Sequence, residues 1–200
     1  MIKSRVSIAL VAFTAFALAG CAGEPAPRTE TARSNLHSDV QSALRRMDAK
    51  DPDLASLRNS NMAYAIFPDV GKGGAIVGGA FGRGEVWQNG QLIGYAELQQ
   101  ASIGAQIGGQ TYSELLIFKT DDALQRFKNN QFSFTANASA VGLTAGASKT
   151  AKFENGVAAF TLPRAGAMLE ASVGGQRFTF QPATASEMTS GSVGPTTRPY

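Results

Sequence analysis

FPDVGKGGAIVGGAFGRGEVW, residues Phe67 to Trp87, is the stretch on which the fold turns. Seven of its twenty-one residues are glycine. Glycine admits backbone conformations and close approaches denied to other residues, at an entropic cost when the chain orders. The residues between the glycines ask for a core: Ala75, Ile76, Val77, Phe81, Val86 and Trp87. Two short blocks, Gly71-Lys72-Gly73-Gly74 and Gly82-Arg83-Gly84, have the look of phosphate cradles. A P-loop needs Ser or Thr after its Gly-Lys pair, and here Gly73 follows Lys72. A dinucleotide fingerprint needs a helix after its glycines, and no helical period follows these. The glycines therefore read as bulges and bends of a curved antiparallel sheet.

Downstream the period stays near two. Gly74 to Phe81 and Gly84 to Trp87 are strand candidates, and Asn89-Gly90 makes a tight hairpin turn. Gln91 to Gln99, Ala101 to Gly108 and Tyr112 to Phe118 follow as three further strands. Thr120-Asp121-Asp122 starts a short helix with its acids in the positive first turn, ending near Asn129-Asn130. From Phe132 to Ala140 apolar and polar residues alternate, and the apolar side narrows from Phe to Ala. A second hairpin signal, Asn155-Gly156, opens strands at Val157 to Leu162, Ala167 to Val173 and Arg177 to Phe180.

Upstream the period is helical. Leu36, Val40, Ala43, Leu44 and Met47 share one face, with Ser34 or Asn35 as the cap. Asp51-Pro52 reads as the start of a second helix. The apolar run Ala65-Ile66-Phe67 stops at Pro68. The predicted class is α+β: a strongly curved or barrel-like antiparallel sheet, with N-terminal helices and one short helix between strands. Closure would remove the exposed edges that so many short strands create.

The first residues carry an address. Lys3 and Arg5 precede an apolar run from Val6 to Ala19, which reads as an export signal over residues 1–20. Leu18-Ala19-Gly20-Cys21 resembles the bacterial lipobox. That resemblance implies cleavage before Cys21, acylation of its sulfur and new amino group, and a lipid anchor in a Gram-negative outer membrane. Cys21 is the only cysteine, so no disulfide framework accompanies it. Residues 21–33 read as a lipidated tether, 34–180 as the domain and 181–200 as a disordered tail. Without Lys3 and Arg5 the chain has 16 Lys and Arg against 15 Asp and Glu, a net charge of +1. Such a balance offers no whole-molecule field for nucleic acid.

Several blocks in order resemble the SYLF family, also called Ysc84. They are Ala65 to Gly74, Val77-Gly78-Gly79, Gly82 to Val86, and Ser102 to Gln110, followed by Ile117-Phe118 and the helix from Asp121 to Lys128. The likeness spans residues 36 to 180. It implies a lipid-binding module, with phosphoinositide preference and an actin link in eukaryotic members. An exported lipoprotein has no use for actin, and the polar face of the first helix holds only Arg45 and Arg46.

Chemistry is thin. His37 is the only histidine, without a local partner in sequence, and reads as a solvated or cap-adjacent side chain. It cannot by itself assemble a zinc site. Glu97, Glu114 and Glu170 sit in strand-like runs, where two could meet across a sheet, but acid–base hydrolysis needs a carboxylate pair across a cleft. No enzyme, metal or cofactor is expected. The candidate site is basic: Lys72, Arg83, Lys149, Lys152, Arg164 and Arg177, gathered by the turns onto one rim to hold anionic or phosphorylated lipid head groups. Expected partners are anionic membrane phospholipids. The alternative is a structural or protein-interaction lipoprotein with an envelope protein partner. Cys21→Ala should abolish lipidation and leave an uncleaved precursor or unanchored protein. Intact-mass measurement of the membrane and soluble fractions checks this, and mature acylated C21A protein would refute the anchor.

Overall fold

The computed structural model describes residues 25–74, 77–134 and 140–190. The first helix, α1 (Glu30–Lys50), begins before the expected cap. The Thr29 hydroxyl accepts the Ala32 amide at 3.1 Å, and Glu30 stands in the first turn, so Thr29 is the residue that starts it. Val40, Ala43, Leu44 and Met47 are buried on the face read from the sequence. Asp51 does not open the second helix. It caps the C-terminus of α1, while α2 (Leu54–Asn59) starts after Asp53. The buried Asp51 carboxylate accepts the Ser148 amide at 2.7 Å and the Asp53 amide at 3.3 Å. Burial pushes its pKa up, but hydrogen bonds from Ser148, Gly146 and Asp53 outweigh burial and hold it below the ordinary value.

β1 (Ala63–Gly74) pairs antiparallel with β2 (Val77–Gln88), from Ala63 opposite Gln88 to Gly74 opposite Gly78. The strand runs through Pro68, where the sequence led us to expect a stop. Proline has no amide hydrogen to give the ladder, so the ladder breaks there but the strand does not. The register shifts between Ile66 and Asp69 on the β2 side, and between Phe67 and Val70 on the other. The buried Ser113 hydroxyl donates to the Pro68 carbonyl at 2.7 Å and so uses one acceptor that the bulge leaves over. Gly84 lies against the same irregularity. A Cβ there would run into the Ile66 carbonyl and the Phe67 ring.

The remaining large strands are longer than expected. β3 is one strand, Gln91–Phe118, and β6 is one strand, Val157–Pro182. They pair antiparallel from Gly94 opposite Pro182 to Phe118 opposite Val157. Between them come α3 (Asp121–Lys128), capped by the Thr120 hydroxyl as expected, then β4 (Ser133–Phe134), β5 (Ala140–Gly142) and a 3₁₀ turn, η1 (Ala147–Thr150). Both Asn-Gly turns form, with positive φ at Asn89 and Gly90 and at Asn155 and Gly156.

Among the described residues the sheet has six strands in the order β1-β2-β3-β6-β4, with β5 also on β6 and β1 also on β3. The N-terminal part of β3 pairs with β2 and its C-terminal part with β1. Three successive antiparallel pairings separate those two parts, so β3 changes direction between Ile103 and Gly108, where φ is +116°. The α+β class and the N-terminal helices are as expected. Barrel closure is not found: among the described residues β4 and β5 pair only with β6, and the sheet stays open.

Each face of the sheet has its own core. The inner face carries Phe67, Val70, Leu98, Leu116, Phe118 and Phe178 beneath α3. Phe127 of α3 lies 5.0 Å from Phe118 and 5.5 Å from Phe178, ring centre to ring centre. The outer face carries Ile66, Trp87, Tyr95, Leu115, Ile117 and Phe160 beneath α1, α2 and the η1 segment. Within the segment read as a tail, residues 181–182 finish β6 and α4 (Ala185–Ser190) follows, with Ala183 and Glu187 buried. Arg33 Nε bonds the Glu187 carboxylate at 2.7 Å. The last ten residues, 191–200, lie outside the described residues, as do residues 1–24 with Cys21.

Gly84→Ala should lower stability by about 1–3 kcal/mol, because backbone must move to admit the methyl. Gly71→Ala, where a methyl meets nothing within 4 Å, should stay within about 0.5 kcal/mol of wild type. Urea unfolding of both variants makes the comparison, and equal losses would refute the close-approach account.

Candidate functional site

The outer face is covered by α1 only in part. Among the described residues, its part toward the β1–β2 turn presents mostly glycine and alanine to solvent. Gly109, Gly73, Gly79, Ala101 and Gly175 stand opposite one another in one row across the sheet. Packing does not require glycine at Gly73 or Gly109, where an added methyl would sit at 3.6 Å and 3.5 Å from its nearest neighbour. Among the described residues, two apolar side chains project from this band: Val77 is 68% exposed and Phe81 47% exposed.

Three of the six expected cations border the band. Arg83 lies two residues along β2 from Phe81, with its guanidinium 5.6 Å from the Phe81 ring centre. Arg177 is exposed and shares a cross-strand row with Phe81, through Gln99 of β3. Arg164 binds Asp69 at 2.7 Å, and Asp69 is the cross-strand partner of Arg83. Arg46 of α1 joins them. Burial, then the Arg164 charge, hold its pKa below the ordinary value, against the pull of Asp69 and Asp39. The sequence placed Arg46 with Arg45 on the polar side of its helix and gave no sign of this neighbourhood.

The other three do not converge here. Lys72 follows Val70 on the inner face, opposite Ala80 on β2 and Gln110 on β3. Lys149 lies in η1, where its amine meets Asp53 at 3.0 Å, and Lys152 is exposed just after it. The single rim drawn from all six cations therefore does not form. Lys72 and Arg83 sit within strands on opposite faces, and Lys149 sits in a 3₁₀ turn.

The acids are distributed in a way the sequence could not show. Glu85, Glu97 and Glu114 are all buried. Glu85 and Glu97 face outward. Glu85 accepts the Trp87 indole at 3.0 Å and meets His37 Nδ1 at 3.2 Å. Glu97 accepts from Gln99 and lies 3.7 Å from Arg83. Glu114 faces inward, bonded to Gln176. His37 therefore has a carboxylate partner, 48 residues away, where the sequence indicated none. The hydrogen bond that His37 gives to the Glu85 carboxylate raises the His37 pKa, partly opposed by burial. A groove of about 570 Å³ lies between α1 and the base of the β1–β2 hairpin, lined by Asp48, Arg58, Tyr64 and Trp87. Asp48 and Arg58 are bonded to each other at 2.8 and 3.1 Å, and Arg58 lies over the Tyr64 ring. No group of three or more metal ligands occurs among the described residues.

Residues 99–188 match the family model Ysc84, described as Las17-binding protein actin regulator. The match runs from β3 to α4, so it takes in the resembling blocks from Ser102 to Lys128, while the glycine-rich hairpin lies before it. The chain is 25% identical over 154 residues to beta cell expansion factor A of Aeromonas veronii. That alignment covers 76% of the chain and 59% of the relative, so the chain spans about three fifths of that protein's length.

The His37 pair has a sign that can be tested. Because its folded pKa is raised above 6.5, its stabilisation is fully present below that value and is lost as pH rises through the folded pKa. His37→Gln should therefore cost more stability at about pH 5.5 than at about pH 9. Denaturant midpoints at the two pH values provide the comparison, and an equal cost at both would refute the charged pair.

Proposed function

We propose that this chain is a non-enzymatic, lipid-anchored protein of the Gram-negative outer membrane, held by Cys21, which binds anionic or phosphorylated lipid head groups through its bare outer sheet face. The observation that carries this reading is the exposed Phe81 and Val77 with Arg83, Arg164 and Arg177 around them. An apolar side chain can enter the interfacial zone of a bilayer, while the guanidinium groups beside it pair with phosphate oxygens. Each cation near an anionic surface contributes about 1 kcal/mol, fading within a Debye length of about 10 Å at 0.1 M salt. The Ysc84 match supports a binding role in general terms.

A second reading has its own observation. The row of Gly and Ala from Gly109 to Gly175 is flat enough for a protein partner to lie close against the backbone, and the matched family is described by a protein that it binds. On that reading the chain is an interaction lipoprotein and the cations are incidental.

Vesicle co-sedimentation of the chain beginning at Ala22 separates the two. Binding should rise with phosphatidylglycerol content and fall with salt. Arg177→Glu, a change of two charges, should weaken it by about 2 kcal/mol, or roughly thirtyfold. Phe81→Ser should also weaken it while leaving the melting temperature unchanged. Lys152→Glu, just after η1 and also a change of two charges, is the matched charge control and should have the smaller effect. Equal binding to neutral and anionic vesicles would overturn the lipid reading and leave the protein partner in its place.

A further inference from the structure

We propose that Glu114 is a proton-controlled latch between two parts of the β3–β6 ribbon that the register does not bring together. Gln176 of β6 pairs with Gln100 of β3, whereas Glu114 of β3 pairs with Phe67 of β1 and Thr161 of β6. Yet Gln176 Nε2 donates to Glu114 Oε2 at 3.0 Å across the inner core. The Phe67–Phe178 contact at 5.6 Å makes the same crossing with apolar groups. Both side chains of the polar crossing are buried, Glu114 at 0% and Gln176 at 3% exposure.

The bookkeeping of donors decides the chemistry. Glu114 Oε1 and Gln176 Oε1 are buried acceptors without a hydrogen-bond partner. The two side chains are already joined through their other ends. A carboxylic acid and a primary amide close a two-bonded ring when the acid is neutral: the amide N–H donates to one carboxyl oxygen, and the carboxyl O–H donates to the amide oxygen. One proton on Glu114 Oε1 would therefore satisfy both orphan acceptors at once. With Glu114 ionised, two acceptors and a negative charge are left facing each other in the core. Gln100 Nε2 is a buried donor, also without a partner, on the residue directly across from Gln176. It offers Gln176 Oε1 another bond when the proton leaves, so the latch has a second position.

The surroundings fix the direction. From β1 the inner face offers one charged group, Lys72, whose charge acts to lower the Glu114 pKa. From β3 itself it offers Tyr112. Among the described residues, β2 contributes Ala80 and Val86, α3 contributes Ala123, Leu124 and Phe127, and β6 contributes Phe178 together with the uncharged Thr161 opposite Glu114. Burial dominates and pushes the Glu114 pKa up to about 7, against the Gln176 hydrogen bond and the Lys72 charge. A carboxyl raised in the folded state is neutral there while ionised in the unfolded chain. Its contribution to stability is therefore fully present below 4.5 and is lost as pH rises toward about 7. His37, Glu85 and Glu97 lie on the other face and do not touch the latch.

Amide hydrogen exchange on the full-length chain reads the latch directly. Protection at Ser113 to Leu115 and at Gln176 to Phe178, corrected for intrinsic rates, should fall on the order of tenfold between about pH 5.5 and about pH 8. Glu114→Gln keeps the ring of two bonds without a titrating proton, and its protection should not change with pH. The same pH profile in wild type and variant, or a flat profile in wild type, would overturn the latch. Should the variant not fold, the wild-type chain still decides. The Glu114 carboxyl carbon should titrate near 7, and the Gln176 side-chain amide should shift with the same midpoint. A midpoint near 4.5, or an amide that does not follow, would overturn the proposal.

Discussion

The structure depends on one constraint: β3 has two edges and three partners. β6 occupies one edge along its whole length, and β2 and β1 must share the other in succession. The hairpin of β1 and β2 meets that demand only if its two strands reach different parts of β3. Everything on the inner face follows. The turn of β3 between Ile103 and Gly108 lets Phe67 meet Phe178, and the space left between them is closed by Phe127 from α3. Without α3 the inner face would expose several aromatic rings, so the helix between β3 and β4 is as much a part of the core as the strands are.

Local signals in the sequence were legible where the cause was local. The two Asn-Gly turns, the Thr120 cap and the α1 face all form where the sequence places them, because a turn, a cap and an amphipathic face each depend on residues a few positions apart. Pro68 suggests a strand end because a proline usually ends pairing, and only the neighbouring strands reveal that the ladder resumes on both sides. β3 and β6 each look like three strands in the sequence, because glycine and small residues interrupt the alternating pattern without interrupting the strand. The first helix starts early because Thr29 competes with Ser34 as a cap, and composition alone favours neither.

The candidate site was legible as a set of residue types and not as a place. Arg83, Arg164 and Arg177 border one face, but Lys72 lies on the opposite one, and period-two parity at a bulged strand cannot be counted from the sequence. His37 and Glu85 are 48 residues apart, and nothing in either neighbourhood marks the other. The same holds for Glu114 and Gln176, whose meeting depends on the course of the whole ribbon. The charges that matter here are set by which face a residue occupies, and that is a property of the pairing.

The two ends of the described chain are fastened to each other. The Ala26 amide donates to the Gln181 side chain at 3.1 Å, and Arg33 grips Glu187. The order in which the elements are synthesised is therefore separable from the arrangement they reach. A circular permutant, with a short linker joining these ends and new termini opened at Asn89-Gly90, would retain every strand pairing while reversing which half of the sheet leaves the ribosome first.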